Sequence, residues 1–347
     1  PTLLQYLACP ECKSSFHLQP ESTLDEEILE GTLRCPSCGT TYPITGGIPR
    51  ILPRQISEEK QATAAAFGYE WTHFAELSEQ YRDEFLDWIY PVGADFFAGK
   101  VILDAGCGKG RHARLAAQFG AREVIGVDLS PAVEAAYANT RDLANVHVVQ
   151  ADLYSLPFLS PFEYAYSIGV LHHLPDPRKG FLKLLGHLRP GGRISIWVYG
   201  KEGNEWIERW VNPVRIHLTS RLPKIITRMA SFLLSIPLFL ALKVVYGPVQ
   251  RRSSLKFLKP HLFYSEYLCA ISNFSFSENY WNVFDHLVAP TAFYLSRSEV
   301  EEWLSAAGLN EVQMSQRNGN SWRGTGMARS PDGQTRTPAE PPVAEKT

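Results

Sequence analysis

The chain has 347 residues, which at roughly 150 residues per domain is enough for about two domains with a sizeable core. Hydrophobic residues at 45% and charged residues at 20% exclude a wholly disordered or fibrous chain. The 34 basic and 36 acidic residues give a net charge of −2, which carries no global sign of nucleic-acid binding. Residues 1–12 lack a basic segment followed by an apolar one, so we expect no signal peptide and a cytoplasmic protein.

Two Cys-x-x-Cys pairs near the N-terminus predict a metal site. Cys9 and Cys12 form the first pair, Cys35 and Cys38 form the second, and 22 residues separate the pairs. A two-residue gap lets both sulfurs of a pair point at one ion, and two pairs complete a four-thiolate zinc site. Two disulfides or four free thiols are the alternatives, and disulfides are disfavoured in a cytoplasmic chain. Four cysteines leave no open position for a substrate, so the zinc is predicted to be structural.

The residues around the cysteine pairs add a family resemblance. The first pair is preceded by the stretch Leu3-Leu4-Gln5-Tyr6-Leu7-Ala8, which runs directly into Cys9-Pro10. The second pair is followed by Tyr42-Pro43-Ile44-Thr45-Gly46-Gly47-Ile48-Pro49. Together they resemble the zinc ribbons of the Trm112 methyltransferase activators over residues 1–53. The resemblance implies a zinc-ribbon domain at residues 1–56, fused in front of another domain.

Residues 57–98 form an aromatic segment between the ribbon and the next domain. Its aromatic residues include Phe67, Tyr69, Trp71, Phe74, Tyr81, Phe85, Trp88 and Tyr90. The pattern predicts a helical lid across the mouth of a binding site. The alternative is that these side chains only pack the linker onto the following domain.

A strand, a glycine turn and a helix follow from Gly99. The apolar run Val101–Leu103 leads into Asp104-Ala105-Gly106-Cys107-Gly108-Lys109-Gly110 and then into a helical stretch. This order is typical of the first unit of a doubly wound sheet, in which glycines let the backbone approach a ligand. Arg111 stands where a dinucleotide fingerprint needs its third glycine. Asp104 would repel a pyrophosphate and attract a cationic ligand.

Two further acids end the next two predicted strands. Asp128 follows Val124–Val127 and is placed to bind ribose hydroxyls, while Asp152 follows Val146–Val149 and can reach an adenine amine. Leu153 would pack on the adenine ring. Each acid alone could be a loop residue or a helix cap. Three acids at the carboxyl ends of three successive strands indicate a nucleoside-containing cofactor.

Residues 99–200 resemble the Rossmann-like methyltransferases that use S-adenosylmethionine (SAM). The glycine loop, Asp128, Asp152, the stretch Ser167–Leu174 and the strand lead-in Leu188–Ile196 carry the resemblance, although Phe162-Glu163-Tyr164 departs from the usual Phe-Asp start of strand four. It implies the fold class α/β, with a Rossmann-like doubly wound sheet and SAM as cofactor. By this resemblance the cofactor-binding residues are Asp104, Gly106, Cys107, Gly108, Gly110, Asp128, Leu129, Asp152, Leu153, Ser167 and Ile168.

The chemistry of methyl transfer directs attention to two histidines. Displacement at a sulfonium needs positioning and exclusion of water, and a general base only when the acceptor carries a proton. His172 and His173 follow strand four and are our catalytic candidates, with a purely structural role as the alternative. The form Val-Leu-His-His-Leu looks like the type 11/UbiE-like branch, which acts mostly on small or lipid-soluble acceptors.

The predicted helical insertion at residues 201–290 is unusually basic. Residues 209–265 contain ten Lys and Arg and no Asp or Glu, and Met229–Leu242 is mostly apolar. These 14 residues are too few to span a bilayer, and Pro237 is expected to interrupt them. A cap over the site, a helix at a membrane surface and a nucleic-acid contact all fit this composition.

Residues 291–329 are predicted to complete the core sheet. A helix should begin at Ser296 and stop at Gly308, followed by a strand around Glu311–Met314. The Pro- and Thr-rich tail at residues 330–347 is predicted to be disordered.

These expectations combine into a SAM-dependent methyltransferase for a small-molecule or lipid-like acceptor. Peripheral membrane contact through residues 209–265 is the expected second interaction, nucleic acid is a less favoured partner, and the location is cytoplasmic or at the membrane periphery. The alternatives are an RNA or protein methyltransferase that docks through ribbon and insertion, and a non-catalytic SAM-binding activator subunit.

Overall fold

A computed structural model describes residues 2–25, 27–74, 76–77, 81–159 and 162–329, so the predicted disordered tail lies outside the described residues. The strands of the described chain form one 11-stranded sheet in the order β1-β2-β3-β4-β7-β6-β5-β8-β9-β11-β10. Their bounds are β1 (His17–Leu24), β2 (Glu27–Arg34), β3 (Thr41–Thr45), β4 (Ile48–Ile51), β5 (Val101–Ala105), β6 (Glu123–Asp128), β7 (Val146–Ala151), β8 (Phe162–Ile168), β9 (Leu188–Tyr199), β10 (Asn310–Arg317) and β11 (Ser321–Met327).

The central part of the sheet confirms the predicted fold class. Strands β7, β6, β5, β8 and β9 run parallel, and β11 and β10 add antiparallel strands at one edge. The chain reverses its direction of winding at β5, so β5 and β8 are the switch point where α/β sheets bind ligands. Strand β5 is buried at every residue, which explains the apolar run Val101–Leu103, and the buried Asp104 follows that run.

Helices cover both faces of this sheet. Helices α2 and α3 pack on a core that contains Phe85, Phe97 and Tyr166, and α5 and α11 pack on the opposite core through Phe181 and Trp303. The bounds are α1 (Glu58–His73), α2 (Tyr81–Trp88), α3 (Arg111–Gln118), α4 (Ala132–Thr140), α5 (Pro177–Leu185) and α11 (Arg297–Ala306). Helix α11 begins with a capping box between Ser296 and Glu299, where the sequence predicts its start.

The zinc-ribbon segment shares its core with the large sheet. Strand β4 pairs in parallel with β7 through Arg50–Gln150 and Ile51–Ala151, and the Ala8 N–H donates to the Pro157 carbonyl at 2.8 Å. The buried residues of β2 and β3 belong to the same hydrophobic cluster as those of β5 and β7. The ribbon is therefore an extension of the sheet, because β4 pairs with β7 and the buried residues of β2 and β3 pack into the core of the large sheet.

The insertion between β9 and α11 is helical, as predicted, but its apolar run differs from the prediction. Its helices are α6 (Asn212–His217), α7 (Lys224–Ala241), α8 (Gly247–Arg251), α9 (Ser265–Ile271) and α10 (Phe276–Val288). Helix α7 continues past Pro237 and joins α8 through a wider turn at Leu242–Tyr246. Lys224–Arg251 is thus one helix of 28 residues, here named the long helix, which has the length and composition needed to cross a membrane.

Candidate cofactor site and metal centre

One cavity of about 520 Å³ lies at the carboxyl ends of β5, β6, β7 and β8. Parallel strands end at the same edge of a sheet, so residues that are distant in sequence meet there. The remaining walls come from residues 57–98, here named the lid segment, from the insertion and from the turn between β10 and β11. The predicted cofactor residues on its wall are Gly106, Cys107, Gly108, Asp128, Leu129, Asp152, Leu153 and Ile168.

The glycine loop has a backbone that other residues adopt only with strain. Gly106 has a φ of 86°, and a Cβ placed on it would lie 2.3 Å from Cγ2 of Val170. Gly108 has a φ of 51°, and its Cβ would lie 3.3 Å from Nε1 of Trp71. Both positions keep the loop backbone open toward the cavity, which is the cradle a large cofactor requires.

Asp128 is held by hydrogen bonds at the cavity wall. Its Oδ2 accepts from the Gly108 N–H at 3.0 Å, and its Oδ1 accepts from the N–H and hydroxyl of Ser130 at 2.8 and 2.7 Å. Burial raises the pKa of Asp128, while the hydrogen bonds from Ser130 and Gly108 oppose that rise. The carboxylate is therefore oriented as an acceptor that fits the hydroxyl pair of a ribose.

Asp152 has a partner that the sequence analysis did not identify. Nζ of Lys60, near the start of α1, lies 2.5 Å from Oδ2 of Asp152, and the Tyr154 N–H donates to Oδ1 at 3.0 Å. Lys60 is 92 residues away in sequence, so no local signal connects the two residues. The pair attaches the lid helix to the adenine side predicted for the cofactor.

Three of the predicted cofactor residues lie behind the cavity wall. Asp104 is 1% exposed, and its Oδ2 has no hydrogen-bond partner among the described residues. Burial raises the pKa of Asp104 to about 8. The Ser167 hydroxyl donates to the Ala105 carbonyl at 3.0 Å, and Gly110 is the N-cap of α3. These three residues lie beneath the glycine loop and are not part of the cavity wall.

The two candidate catalytic histidines occupy different positions. His173 lines the cavity, and its Nδ1 lies 2.6 Å from the Thr291 carbonyl, so this nitrogen must carry the proton and leave Nε2 as an acceptor. His172 is absent from the wall, and its ring lies against that of Tyr199, with centroids 3.9 Å apart and planes tilted by 30°. Burial lowers the pKa of both histidines, so both are neutral near pH 7.

The lid segment is attached to the glycine loop. Helix α1 lines the cavity through Lys60, Phe67, Glu70 and Trp71. Nζ of Lys109 donates to the Phe74 carbonyl at 2.9 Å, to the Glu76 carbonyl at 2.7 Å and to the Tyr81 hydroxyl at 3.2 Å. Burial lowers the pKa of Lys109 to about 7. This one side chain therefore connects the loop to the end of α1 and the start of α2.

The far end of the cavity is a polar and aromatic space that we name the acceptor chamber. The Tyr199 hydroxyl donates to Oδ2 of Asp285 at 3.0 Å, and the Tyr264 hydroxyl lies between Asn204 at 2.5 Å and Asn320 at 2.7 Å. The chamber is lined by Tyr199, Asn204, Tyr264, Tyr267, Asp285, His286, Tyr294 and Asn320. These residues were not predicted from the sequence, because they come from β9, the insertion and the loop before β11 and share no motif.

The four N-terminal cysteines form a metal-binding group. Their Sγ atoms all lie within 4.8 Å of one another, with 3.6 Å between Cys9 and Cys38 and 3.4 Å between Cys12 and Cys35. A tetrahedral zinc site with Zn–S bonds of about 2.3 Å separates its sulfurs by about 3.8 Å. All six cysteines are free thiols, and disulfide sulfurs would lie about 2.05 Å apart. The arrangement fits zinc and not the disulfide alternative.

Comparisons with known proteins agree with both halves of this description. Residues 102–192 match the family model of a methyltransferase domain, and residues 1–47 match that of Trm112p-like proteins. The magnesium protoporphyrin IX methyltransferase of Synechocystis, solved with bound SAM, covers 80% of this chain and is itself covered over its whole length. Its TM-score is 0.44 and its identity is 13%. The two family matches confirm the predictions of a SAM-dependent methyltransferase domain and a Trm112-like ribbon.

The curated relatives correct our prediction of the acceptor. A tRNA U34 carboxymethyltransferase of Cellvibrio japonicus is 33% identical over 172 residues, which are 46% of this chain and 53% of that protein. The enzyme of the same name from Shewanella piezotolerans is 29% identical over 140 residues, 38% of this chain and 42% of that protein. The chain thus spans about half or less of these relatives. Their names specify tRNA, so our preference for a small-molecule or lipid-like acceptor over nucleic acid is wrong.

Proposed function

Because the chain carries a methyltransferase domain at residues 102–192 behind a Trm112p-like domain at residues 1–47, we propose that it is a SAM-dependent methyltransferase whose acceptor is a base of RNA. The observation that carries this proposal is the continuity of one cavity. The strand-end acids Asp128 and Asp152 line one end, and the acceptor chamber forms the other. A cofactor and an unpaired base can therefore meet without crossing solvent.

The cofactor end has residues suited to each part of SAM. Asp128 would bind the ribose hydroxyls, Asp152 and Leu153 the adenine, and the glycine loop the methionine part. SAM supplies a methyl group already activated on a sulfonium, so the protein contributes orientation and exclusion of water. The lid helix α1, attached by Lys60 and Lys109, excludes water on the side away from the sheet.

The acceptor chamber has the groups that bind an unpaired base. Proteins read single-stranded RNA by stacking bases on aromatic rings and by hydrogen bonds to the base edges. Tyr199, His286 and Tyr294 supply nearly parallel rings, with separations of 5.9 Å from Tyr199 to His286 and 5.7 Å from Tyr199 to Tyr294. Asn204 and Asp285 supply amide and carboxylate groups. Nε2 of His173 is free to accept a proton where the methylated atom carries one.

The basic insertion offers contacts for the RNA backbone. Of the ten Lys and Arg at residues 209–265, five are exposed, and exposed cations bind phosphates with strong salt dependence, whether the phosphates belong to RNA or to lipid headgroups. The five are Arg209, Arg221, Arg251, Arg252 and Lys256. The relatives named for a tRNA base support the same class of acceptor.

Transfer of a labelled methyl group tests the proposal directly. Purified protein and methyl-labelled SAM are incubated with separate pools of total RNA, protein and lipid. We expect the label to appear in the RNA pool and to be lost on treatment with ribonuclease. Asp128→Ala should abolish the signal and SAM binding, whereas Asp142→Ala, at an exposed carboxylate paired with Arg114, should leave both unchanged.

Three outcomes would overturn the proposal. Label in the protein or lipid pool would refute an RNA acceptor. SAM binding in calorimetry without label in any pool would favour the non-catalytic activator. Unchanged SAM affinity in Asp128→Ala would refute the site itself.

A further inference from the structure

The long helix Lys224–Arg251 places its polar side chains inward and its apolar side chains outward. Thr227, Ser231 and Ser235 are fully buried, and their hydroxyls donate to nearby carbonyls at 2.6 to 3.0 Å. The opposite side, here named the outward face, consists of large side chains that are 40% to 64% exposed. They are Ile225, Ile226, Met229, Phe232, Leu233, Leu234, Ile236, Leu240, Val244 and Val245.

This arrangement is the reverse of a helix on a protein surface in water, where the apolar stripe faces the core. Only 22% of the most apolar 18-residue window of this helix is buried. Residues 209–265 also hold 17 of the 24 large hydrophobic side chains that are exposed in the described chain. Each exposed Å² of apolar surface costs about 25 cal/mol. The outward face therefore requires an apolar occupant.

The side chains of the outward face distinguish among three possible occupants, which are RNA, another protein surface and lipid. RNA is held by cations and stacking rings, and nine of these ten side chains are aliphatic or thioether chains. Protein interfaces depend on Trp, Tyr and Arg anchors, with Leu under-represented. Small residues toward the neighbouring helix and aliphatic residues outward are typical of helices in contact with lipid. Lipid is the occupant that fits all ten positions.

The charges around the long helix fit an anionic membrane surface. Arg221 precedes the helix, and Arg251, Arg252 and Lys256 end and follow it; all four are exposed. Residues 209–265 contain no acidic side chain that would repel anionic headgroups. Exposed aromatic side chains flank the helix at Trp210, Phe257 and Phe263, and such rings are enriched at membrane interfaces.

The packing of the long helix favours an orientation along a membrane surface over one that crosses the bilayer. Its 28 residues span about 42 Å at 1.5 Å per residue, more than the roughly 30 Å of a hydrocarbon core. Its inward face, however, contacts α10 and the turn before it. Nε of Arg228 bonds the Tyr280 hydroxyl at 3.2 Å, and Nζ of Lys243 bonds the Ser272 and Phe274 carbonyls at 2.8 and 2.9 Å. A crossing would carry the ionisable residues of α10 into hydrocarbon.

We propose that the protein binds anionic bilayers through the outward face of the long helix, which lies parallel to the membrane with its apolar side chains at the acyl boundary. This inference goes beyond the proposed function and does not depend on it. Helix α10 separates the two features: its Tyr280 hydroxyl bonds Arg228 of the long helix, while Trp281 and Asp285 line the cavity. The cavity therefore lies one helix layer away from the bound lipid.

Vesicle flotation of the full chain tests the proposal. Vesicles of phosphatidylcholine alone and of phosphatidylcholine with about one third phosphatidylglycerol are compared in low salt. The double variant Leu233→Glu/Leu240→Glu places two charges on the outward face, at side chains that are 64% and 63% exposed. The matched control Leu24→Glu/Leu182→Glu adds the same charges at exposed leucines elsewhere.

We expect the wild type and the control to float with anionic vesicles, and the Leu233→Glu/Leu240→Glu variant to lose at least tenfold in partition. Arg251→Gln/Arg252→Gln should weaken partition by about fivefold per residue, because each basic residue near an anionic surface contributes about that factor. Circular dichroism and SAM calorimetry should show that the glutamate variant stays folded, since the changed side chains contact solvent.

Other outcomes would overturn the proposal. If the wild type does not float but is a dimer that Leu233→Glu/Leu240→Glu makes monomeric, the outward face is covered by a second copy of the chain. If the wild type does not float and the same variant loses RNA binding, RNA occupies the face. Equal flotation of the variant and the wild type would show that lipid binds elsewhere.

Discussion

A methyl group added to Gly106 should damage the glycine loop in two separable ways. The φ of 86° at Gly106 strains any residue with a Cβ, and that Cβ would approach Cγ2 of Val170 to 2.3 Å. Gly191 is a matched control, because its φ is 76° and a Cβ placed on it would have no neighbour within 4 Å. Both alanine variants incur backbone strain, and only Gly106→Ala also incurs a collision.

The expected magnitudes follow from this geometry. Left-handed backbone costs an L-residue about 1–2 kcal/mol. Overpacking a filled site adds about 1–3 kcal/mol. Gly191→Ala should therefore lower the free energy of unfolding by about 1–2 kcal/mol, and Gly106→Ala by about 2–5 kcal/mol. Val170→Ala removes both Cγ atoms, so the double variant Gly106→Ala/Val170→Ala should be less unstable than the sum of its single changes.

Urea unfolding and SAM calorimetry measure the two consequences. Gly106→Ala should also weaken SAM binding at least tenfold, since a displaced loop no longer cradles the methionine part, whereas Gly191→Ala should bind SAM as the wild type does. Equal destabilisation by Gly106→Ala and Gly191→Ala would refute the steric reasoning. Wild-type SAM affinity in Gly106→Ala would refute the role of the loop.

Three further predictions concern the metal, a buried acid and the lid. Cys35→Ser or a chelator should remove zinc, which atomic absorption measures. Loss of zinc should lower the melting temperature of the whole chain, because the ribbon shares its core with the sheet. Loss of zinc with an unchanged melting temperature would contradict this. Burial raises the pKa of Asp104 from 3.8 to about 8. Between about pH 4 and pH 8 the folded protein therefore keeps a proton that the unfolded chain releases. Asp104 should thus make the free energy of unfolding fall as the pH rises through this range. Asp104→Asn should flatten that fall in melting temperature, and an unchanged slope would show that other groups cause it. Lys109→Met removes three hydrogen bonds to the lid segment and should weaken SAM binding about tenfold in calorimetry. The exposed control Lys201→Met should leave SAM binding unchanged. Equal SAM affinities of the two variants would show that Lys109 does not hold the lid segment in place for the cofactor.

The class of acceptor could not be predicted correctly from the sequence motif that we used for it. It depended on the short stretch after β8, Val170–Leu174, which resembles a branch of methyltransferases. That stretch contributes His173 to the cavity wall, but most of the acceptor chamber comes from β9, the insertion and the residues before β11. The groups that distinguish one acceptor from another are therefore absent from the motif that suggested the acceptor. Relatives named for tRNA corrected the prediction.

The insertion shows a second limit. The apolar run Met229–Leu242 was delimited by composition and by Pro237, yet the helix continues through the proline to Arg251. A proline weakens a helix locally, whereas packing along α10 stabilises it over its full length. Which side of the helix faces solvent depends on that packing, and the apolar composition of the run does not contain this information.

The amino-acid sequence alone determined the features that depend on neighbours a few residues away. These are the two cysteine pairs, the glycine turn and the acids that end successive strands, because turn geometry and strand period act over short distances. Tertiary structure alone decided which distant groups meet. Lys60 pairs with Asp152 across 92 residues, β4 extends the large sheet beside β7, and the long helix turns its leucines outward. Each of these follows from how whole elements pack, and packing is set by the sum of many weak contacts along the entire chain.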